Sequence, residues 1–430
     1  MKTICLAATL LTVLLPLQAE TAEPFLVKDI NTLEIGSIPY SPSGVAVGNL
    51  YYFVADDEIY GSELWRSDGT EQGTFMVKDI RTGEYGSSPS SLTAVNGLLY
   101  FTADDGNHGD KLWRSDGTEQ GTFMVNPGEY GSSPSSLTAV NGLLYFRASD
   151  GTHGSELWQS DGTELGTFMV KDIHQTLEYN WLPNELTAVD GLLYFIADDG
   201  THGDELWRSD GTELGTFMVK DIRTGADNWP SPNELTAVDG LLYFIANDGT
   251  HGDELWRSDG TEQGTFMIHD IRTGEYSSYP SSLTEVNGLL YFRANDGTHG
   301  YELWRSDGTE QGTFMVKDIR IGAGDSYPSS LTAVNGLLYF RANDETHGYE
   351  LWRSDGTEQG TFMVKDIWPG EYNSSPSSLT AVNGLLYFTV DDGTHGNEFW
   401  QSDGTEQGTF MVKDIWTGAY GSYLVLPDGK

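Results

Sequence analysis

One string governs this chain. Leu-Trp-Arg-Ser-Asp-Gly-Thr, or a close variant of it, recurs eight times and places Trp65, Trp113, Trp158, Trp207, Trp256, Trp304, Trp352 and Trp400 at spacings of 48, 45, 49, 49, 48, 48 and 48 residues. A fixed period means one supersecondary unit that cannot bury its apolar face alone and must stack on copies of itself. Periods of about 40–50 residues are those of propeller blades built from four strands.

Each unit divides into four strand-like pieces. In the copy ending at Ile319 these are Ser282 to Val286, Leu289 to Ala294, Glu302 to Ser306 and Thr313 to Ile319. Asn287-Gly288 between the first two is the pair that a type I′ hairpin demands, because both positions need positive φ. Asn295 to Gly300 loops into the third piece, and Asp307-Gly308 opens a tight connection to the fourth. The pieces are rich in Leu, Tyr, Phe, Trp and Val and too short for ordinary helices, so an all-β chain is expected. The runs Leu-Leu-Tyr-Phe and Phe-Met-Val do not alternate, which predicts cover on both faces for the second and fourth strands, as a blade receives from its two neighbours. The expected fold is an eight-bladed β-propeller of four-stranded antiparallel blades. An open solenoid would need polar caps that the sequence does not display.

The run Glu302-Leu303-Trp304-Arg305-Ser306-Asp307-Gly308-Thr309-Glu310-Gln311-Gly312-Thr313 resembles the signature of the bacterial ELWxxDGT-repeat proteins, and it recurs from Glu63 to Thr409. That resemblance implies an exported protein of propeller-like architecture and assigns no activity to the repeat. Lys111 departs from the leading Glu, and Phe399 from the Leu. The ends do not balance: Phe25 to Ile30 is a ninth copy of the fourth strand, and Leu424 to Gly429 resembles a first strand with its turn. Either the N-terminal strand closes the last blade, or the repeat array was once longer.

Charge and export narrow the partners. With 64 acidic against 23 basic residues the chain carries −41, so nucleic acid and anionic bilayers would be repelled. At 38 % hydrophobic and 12 % aromatic residues it is apolar enough to fold. Lys2, the apolar run Cys5 to Leu17 and Ala19 read as a secretory signal over residues 1–19, leaving 20–430 as a single repeat domain. The sole cysteine, Cys5, lies in that signal, so packing rather than disulfides must stabilise the rest. The expected product is secreted or periplasmic, monomeric, and without a membrane-inserted segment.

Strand order sorts the connections onto two rims. On the rim of hairpins and Ser-Asp-Gly-Thr turns, Asp68, Asp116, Asp161, Asp210, Asp259, Asp307, Asp355 and Asp403 each precede Gly, as expected of turn aspartates bonding their own backbone. On the other rim every copy has a further Asp, at Asp57, Asp105, Asp150, Asp199, Asp248, Asp296, Asp344 and Asp392, and seven copies follow it with a His. These aspartates, with a nearby Glu, are candidate Ca²⁺ ligands. The simpler reading is an Asp-Gly loop tying down its own backbone, and no established calcium-loop spacing is matched. One His per blade is too dispersed for zinc unless the rings converge toward the axis.

A feature present in every copy most simply serves the blade, so ligand contacts are sought where copies differ. The inter-blade loops vary most and gather the remaining aromatics. Trp181, Trp229, Trp368, Trp416 and Tyr179 are the candidate ligand-binding residues, with Tyr85, Tyr130, Tyr276, Tyr279, Tyr327, Tyr372 and Tyr420 in the same class of loop. Flat rings beside acidic and amide groups suit carbohydrate stacking or a surface-protein partner. No metalloprotease, nucleophile-elbow or phosphate-loop motif occurs, and no carboxylate pair is distinguished by context. The expectation is a binding or adhesion scaffold without catalytic residues. The alternative is a hydrolase or lyase acting on polysaccharide, and a surface-layer component is a third option.

Overall fold

The computed structural model describes residues 28, 30, 44–125, 132–174, 183–224 and 231–414. They form eight four-stranded antiparallel sheets, each in the order first-second-third-fourth strand, with no helix among the described residues. Blades 1 to 8 span residues 44–78, 90–124, 135–171, 184–220, 233–269, 281–317, 329–365 and 377–413. This is the propeller architecture that the period predicts.

Blade 6 shows why the sequence folds this way. Its strands are Ser281–Val286, Leu289–Asn295, Tyr301–Ser306 and Phe314–Lys317. Asn287 and Gly288 sit at φ 53° and 78°, the two left-handed positions of the expected hairpin. The fourth strand stops two residues before Ile319, because the Ile319 N–H leaves the ladder to donate to Glu302 Oε2 at 3.0 Å.

The apolar clusters span pairs of neighbouring blades, joining contacts made within a blade to contacts across the joint. Tyr243 and Leu255 of blade 5 pack with Leu290, Phe292 and Trp304 of blade 6, while Tyr291 and Leu303 point the other way into a cluster with Leu338, Phe340 and Trp352 of blade 7. The unbroken run in the second strand is therefore buried on both faces, as expected. At 25 cal/mol per Å² such rings dominate the stability, at about 3–5 kcal/mol lost per Phe or Trp cut to Ala. Polar ties reinforce the joints: Lys317 Nζ donates to the Thr361 carbonyl of the next blade at 2.8 Å, and Arg208 Nη1 to that of Gly260 at 3.2 Å.

The fourth strand departs from expectation at one residue. Phe314 is 39 % exposed, with the Arg305 guanidinium 4.6 Å over its ring. The rest of its apolar run is covered on both faces, as expected: Met315 packs against the cluster shared with blade 5 and Val316 lies in the one shared with blade 7.

The junctions are not all alike. The inner strands of blades 1 to 8 pack successively, but the first strands of blades 8 and 1 make no comparable contact. Val382 of blade 8 is 44 % exposed, whereas its counterparts Val47, Val95, Val140, Val189, Val238, Val286 and Val334 are 2–7 % exposed. On blade 1, Lys28 Nζ donates to the Thr74 carbonyl at 2.7 Å and Ile30 packs with Phe53, Ala55 and Trp65. These are the contacts that a preceding blade's fourth strand makes elsewhere, so the Lys28 and Ile30 of the ninth strand copy occupy that slot.

Candidate ligand-binding rim

The inter-blade loop meets the loop between second and third strands on one rim, and a buried glutamate holds the two together. Glu302 Oε2 accepts from Ile319 N at 3.0 Å and Ser326 Oγ at 2.7 Å, and Oε1 accepts from Arg320 N at 3.3 Å. The Ser326 carbonyl then accepts from Asn343 N of blade 7 at 3.0 Å. Glu63 with Ser87, Glu254 with Ser278, and Glu350 with Ser374 repeat the arrangement. Burial raises these carboxyls against the hydrogen bonds that would lower them, to about 7 at Glu156, Glu205, Glu254, Glu302 and Glu350.

Blade 2 tests that account. It carries Lys111 in the glutamate's place, and the loop after it is three residues shorter, Val125 leading directly to Asn126-Pro127-Gly128. The segment that supplies the Ile and Arg N–H donors elsewhere is cut, and the acceptor that served them is gone with it. Lys111 is buried, and burial lowers its ammonium pKa.

The candidate calcium aspartates are each engaged by their own loop. Asp296 Oδ1 accepts from Thr298 N and His299 N, both at 2.8 Å, while Oδ2 lies 2.7 Å from His299 Nδ1. Asp105, Asp150, Asp199, Asp248, Asp344 and Asp392 repeat the bonds to backbone and His, and Asp57 bonds the Ile59 and Tyr60 N–H groups. Burial would raise these carboxyls, but the hydrogen bonds outweigh it and hold Asp199, Asp248 and Asp392 at about 2. The paired histidines His202, His251 and His395 are raised in turn by the bond to Asp. No group of three or more His, Cys, Asp or Glu side chains that could hold a metal gathers among the described residues. The Glu offered by the sequence as a further oxygen donor is turned into the loop frame instead.

Of the candidate ligand-binding aromatics, Trp368 is described, and Trp181, Trp229, Trp416 and Tyr179 lie outside the described residues. Trp368 stacks on Tyr372 with centroids 5.4 Å apart and lies so close to Gly393 of blade 8 that a Cβ there would come within 2.5 Å of its ring. Arg81 and Arg272 hold the same place, over Tyr85 at 5.7 Å and Tyr276 at 5.2 Å. Trp368 thus alternates with Arg as a prop that seats an outward tyrosine on the next blade. The tyrosines themselves stand clear, with Tyr85, Tyr276 and Tyr372 between 63 and 74 % exposed.

A second aromatic set was not anticipated from the sequence. Tyr301 and Tyr349 open the third strands of blades 6 and 7, where other copies carry Ser62, Asp110, Ser155, Asp204, Asp253 and Asn397. Tyr301 stacks on Tyr327 at 5.4 Å, Arg293 lies 5.4 Å over Tyr301, and Arg341 lies 4.4 Å over Tyr349. The signal was available as a departure from the repeat at one strand position. A larger cavity, about 630 Å³, is bordered by the inner strands of blades 6 to 8, but it is lined mainly by Ser, Thr and Ala. Thr332 there already donates to backbone carbonyls of Ser330 and Leu379.

No family model matches the chain, and no curated protein is similar to it. Among solved structures it is similar to oligopeptidase B from Leishmania major, with 9 % identity and a TM-score of 0.46 over 82 % of this chain and 53 % of that one. It is similar also to prolyl oligopeptidase B from Galerina marginata, at 11 % and 0.45 over 87 % and 49 %, and to a puromycin hydrolase, at 15 % and 0.40 over 83 % and 59 %. The chain spans about half to three-fifths of each of those proteins, and likeness at this level transfers no activity to it.

Proposed function

We propose that the chain is an exported β-propeller scaffold that binds a carbohydrate or protein partner through the rim of its inter-blade loops. One observation carries the reading: solvent-facing tyrosines concentrate on that rim, and Tyr85, Tyr276, Tyr327 and Tyr372 are each seated by an Arg, a Trp or another Tyr. Propped rings present contact area whose side-chain entropy is already spent, which is what a recognition surface needs. The reading calls on no metal, since each loop Asp serves its own loop.

The test is binding of the full chain to a panel of immobilised glycans and isolated cell-surface proteins, beside a variant with Tyr85, Tyr276, Tyr279, Tyr327 and Tyr372 all changed to Ser. Retention by at least one panel member, lost in the variant while its unfolding midpoint holds, is the expected result. Retention that survives all five changes would move the contact off this rim and end the proposal.

A further inference from the structure

The junction between blades 5 and 6 differs from its neighbour at three lining positions: Asn233, Ile245 and Asp253 of blade 5 stand where blade 6 presents Ser281, Arg293 and Tyr301 to blade 7. Between blades 6 and 7, Tyr301 stacks on Tyr327 and fills the rim. Between blades 5 and 6 the residue in Tyr301's place is Asp253, too short to reach Tyr279, the counterpart of Tyr327. A cavity of about 270 Å³ remains, lined among others by Asp253 and Asn233 of blade 5 and by Tyr279, Arg293 and Tyr301. Its size suits one ring of a ligand rather than an extended segment.

Arg293 decides what kind of ring. Its Nε is held by Ser281 Oγ at 3.0 Å and its guanidinium lies over Tyr301, so the fork is fixed in orientation. The two terminal nitrogens make no hydrogen bond or ion pair among the described residues, in a chain with 64 acidic and 23 basic residues. A planar fork with free parallel donors matches a carboxylate bidentately. Tyr279, 52 % exposed, offers a flat face on one side; on the other, Asp253, whose Oδ1 accepts from Asn247 Nδ2 at 3.1 Å, and Asn233, whose Nδ2 donates to the Ser231 carbonyl at 3.0 Å, retain further acceptor and donor capacity for hydroxyl groups. An anion with an apolar face and several hydroxyls is a sugar acid.

We propose that this cavity is a subsite for one hexuronate residue of an acidic polysaccharide, with its carboxylate on Arg293 and its ring against Tyr279. The inference rests on the rim reading above and names the ligand class of one place on it. The field of the whole chain opposes a long polyanion, so a short probe at physiological salt is the right one.

Calorimetry with trigalacturonate, and with the neutral galactotriose as control, tests it on the full chain. Saturable binding of the acidic probe alone is expected, weakened about tenfold or more by Arg293→Gln and also by Arg293→Lys, which keeps the charge but loses the fork. Asp253→Tyr installs blade 6's own tyrosine in the gap and should abolish binding with the unfolding midpoint kept, while Tyr85→Ala should leave affinity within about twofold. The proposal is overturned if the acidic probe does not bind, if both trisaccharides bind alike and ignore Arg293→Gln, or if Asp253→Tyr binds as wild type. Should Tyr85→Ala and Tyr372→Ala weaken binding as much as Arg293→Gln, the rim reading survives and the subsite does not. Should no member of the wider panel bind either, both fail.

Discussion

The two rims of the propeller are made from the same eight copies and treat them in opposite ways. On the hairpin rim the bonds repeat without exception: in every blade an Asp Oδ1 accepts from the N–H and hydroxyl of the Thr two residues on, from Asp68 with Thr70 to Asp403 with Thr405. On the loop rim an inner frame repeats, the buried Glu with its Ser and the Asp with its His, and a Gly-Glu-Tyr run recurs at Tyr85, Tyr130, Tyr276 and Tyr372, while other residues such as Tyr301, Tyr349, Tyr279 and Tyr327 differ from their counterparts in other blades. Repetition marks what the blade needs in order to stand. Variation at a propped, exposed position marks what is left over for a partner, and the predictions below press on that division.

The largest effect should come from cutting the frame under the variable rim. Glu302→Ala removes the acceptor seen for the Ile319 and Arg320 N–H groups and one of the two acceptors of the Ser326 hydroxyl, which also donates to the Tyr301 carbonyl at 3.1 Å. Buried groups left without partners cost about 1–3 kcal/mol each, so a loss of about 3 kcal/mol or more in chemical unfolding is expected. A loss under about 1 kcal/mol would mean that the loops hold themselves and that the frame is not what positions the rim.

Next in size is a pH dependence near neutrality, where the hairpin rim has none, since its lowered aspartates lose their contribution only at the acid end. The five glutamates held at about 7 keep a proton in the folded chain that the unfolded chain, titrating near 4.5, has released. Between those values the native state binds more protons, so stability falls as pH rises through the window, by up to about 1.4 kcal/mol per unit per group, and levels off above it. The raised histidines act in the same sense, since stability from their protonated form is lost as pH climbs through their folded pKa. The loop aspartates held at about 2 oppose this only at the acid end, losing their contribution as pH drops below about 4 toward 2. Thermal unfolding from pH 3 to 9 should peak near pH 4–5, and Glu302→Gln should flatten one part of the fall toward pH 7. A midpoint constant from pH 5 to 8 would show the glutamates to be ionised throughout.

Much of the fold was legible because the repeat states it eight times. The Asn-Gly pair specified its hairpin, and the Leu-Leu-Tyr-Phe run specified a strand with a blade on each side. Phe314 alone misled: Met315 and Val316 of the same run face the two neighbouring blades, while Phe314 at the start of the strand is left open to solvent. The role of Glu302 was hidden because its partners lie 17, 18 and 24 residues away across a loop. Beside an Asp-rich loop it read as a cation ligand. Tyr301 and Arg293 were passed over for the reason that the repeat was so clear: they sit inside strands, where a copy was read as a copy. Spatial neighbours such as Asp253 and Tyr279 become a pair only when two blades are set side by side.

On the hairpin rim, Asp307→Ala should cost about 1 kcal/mol, the value of a turn carboxylate lost to two short bonds at a solvent-exposed site. The same change at Asp355 or Asp403 should cost the same, because the bonds are the same. Unequal costs across the copies would reveal a special blade on the rim that looks uniform.

The smallest effect expected is that of removing divalent cations. If the eight loop aspartates were calcium ligands, even weak sites with Kd near 1 mM would each add about 0.4 kcal/mol at 1 mM Ca²⁺, and eight together about 3 kcal/mol, well within reach of a thermal scan. With both oxygens of Asp296 and the six other His-paired aspartates already bonded to His and backbone, and Asp57 Oδ1 bonded to two backbone N–H groups, no difference between excess EDTA, millimolar Ca²⁺ and millimolar Mg²⁺ is expected. A rise specific to Ca²⁺ would transfer the Asp-His loops from the repeated frame to the ligand-facing layer. Repetition would then no longer separate structure from recognition on this rim, and the acidic sugar at Arg293 would have to be weighed against a cation-bridged one.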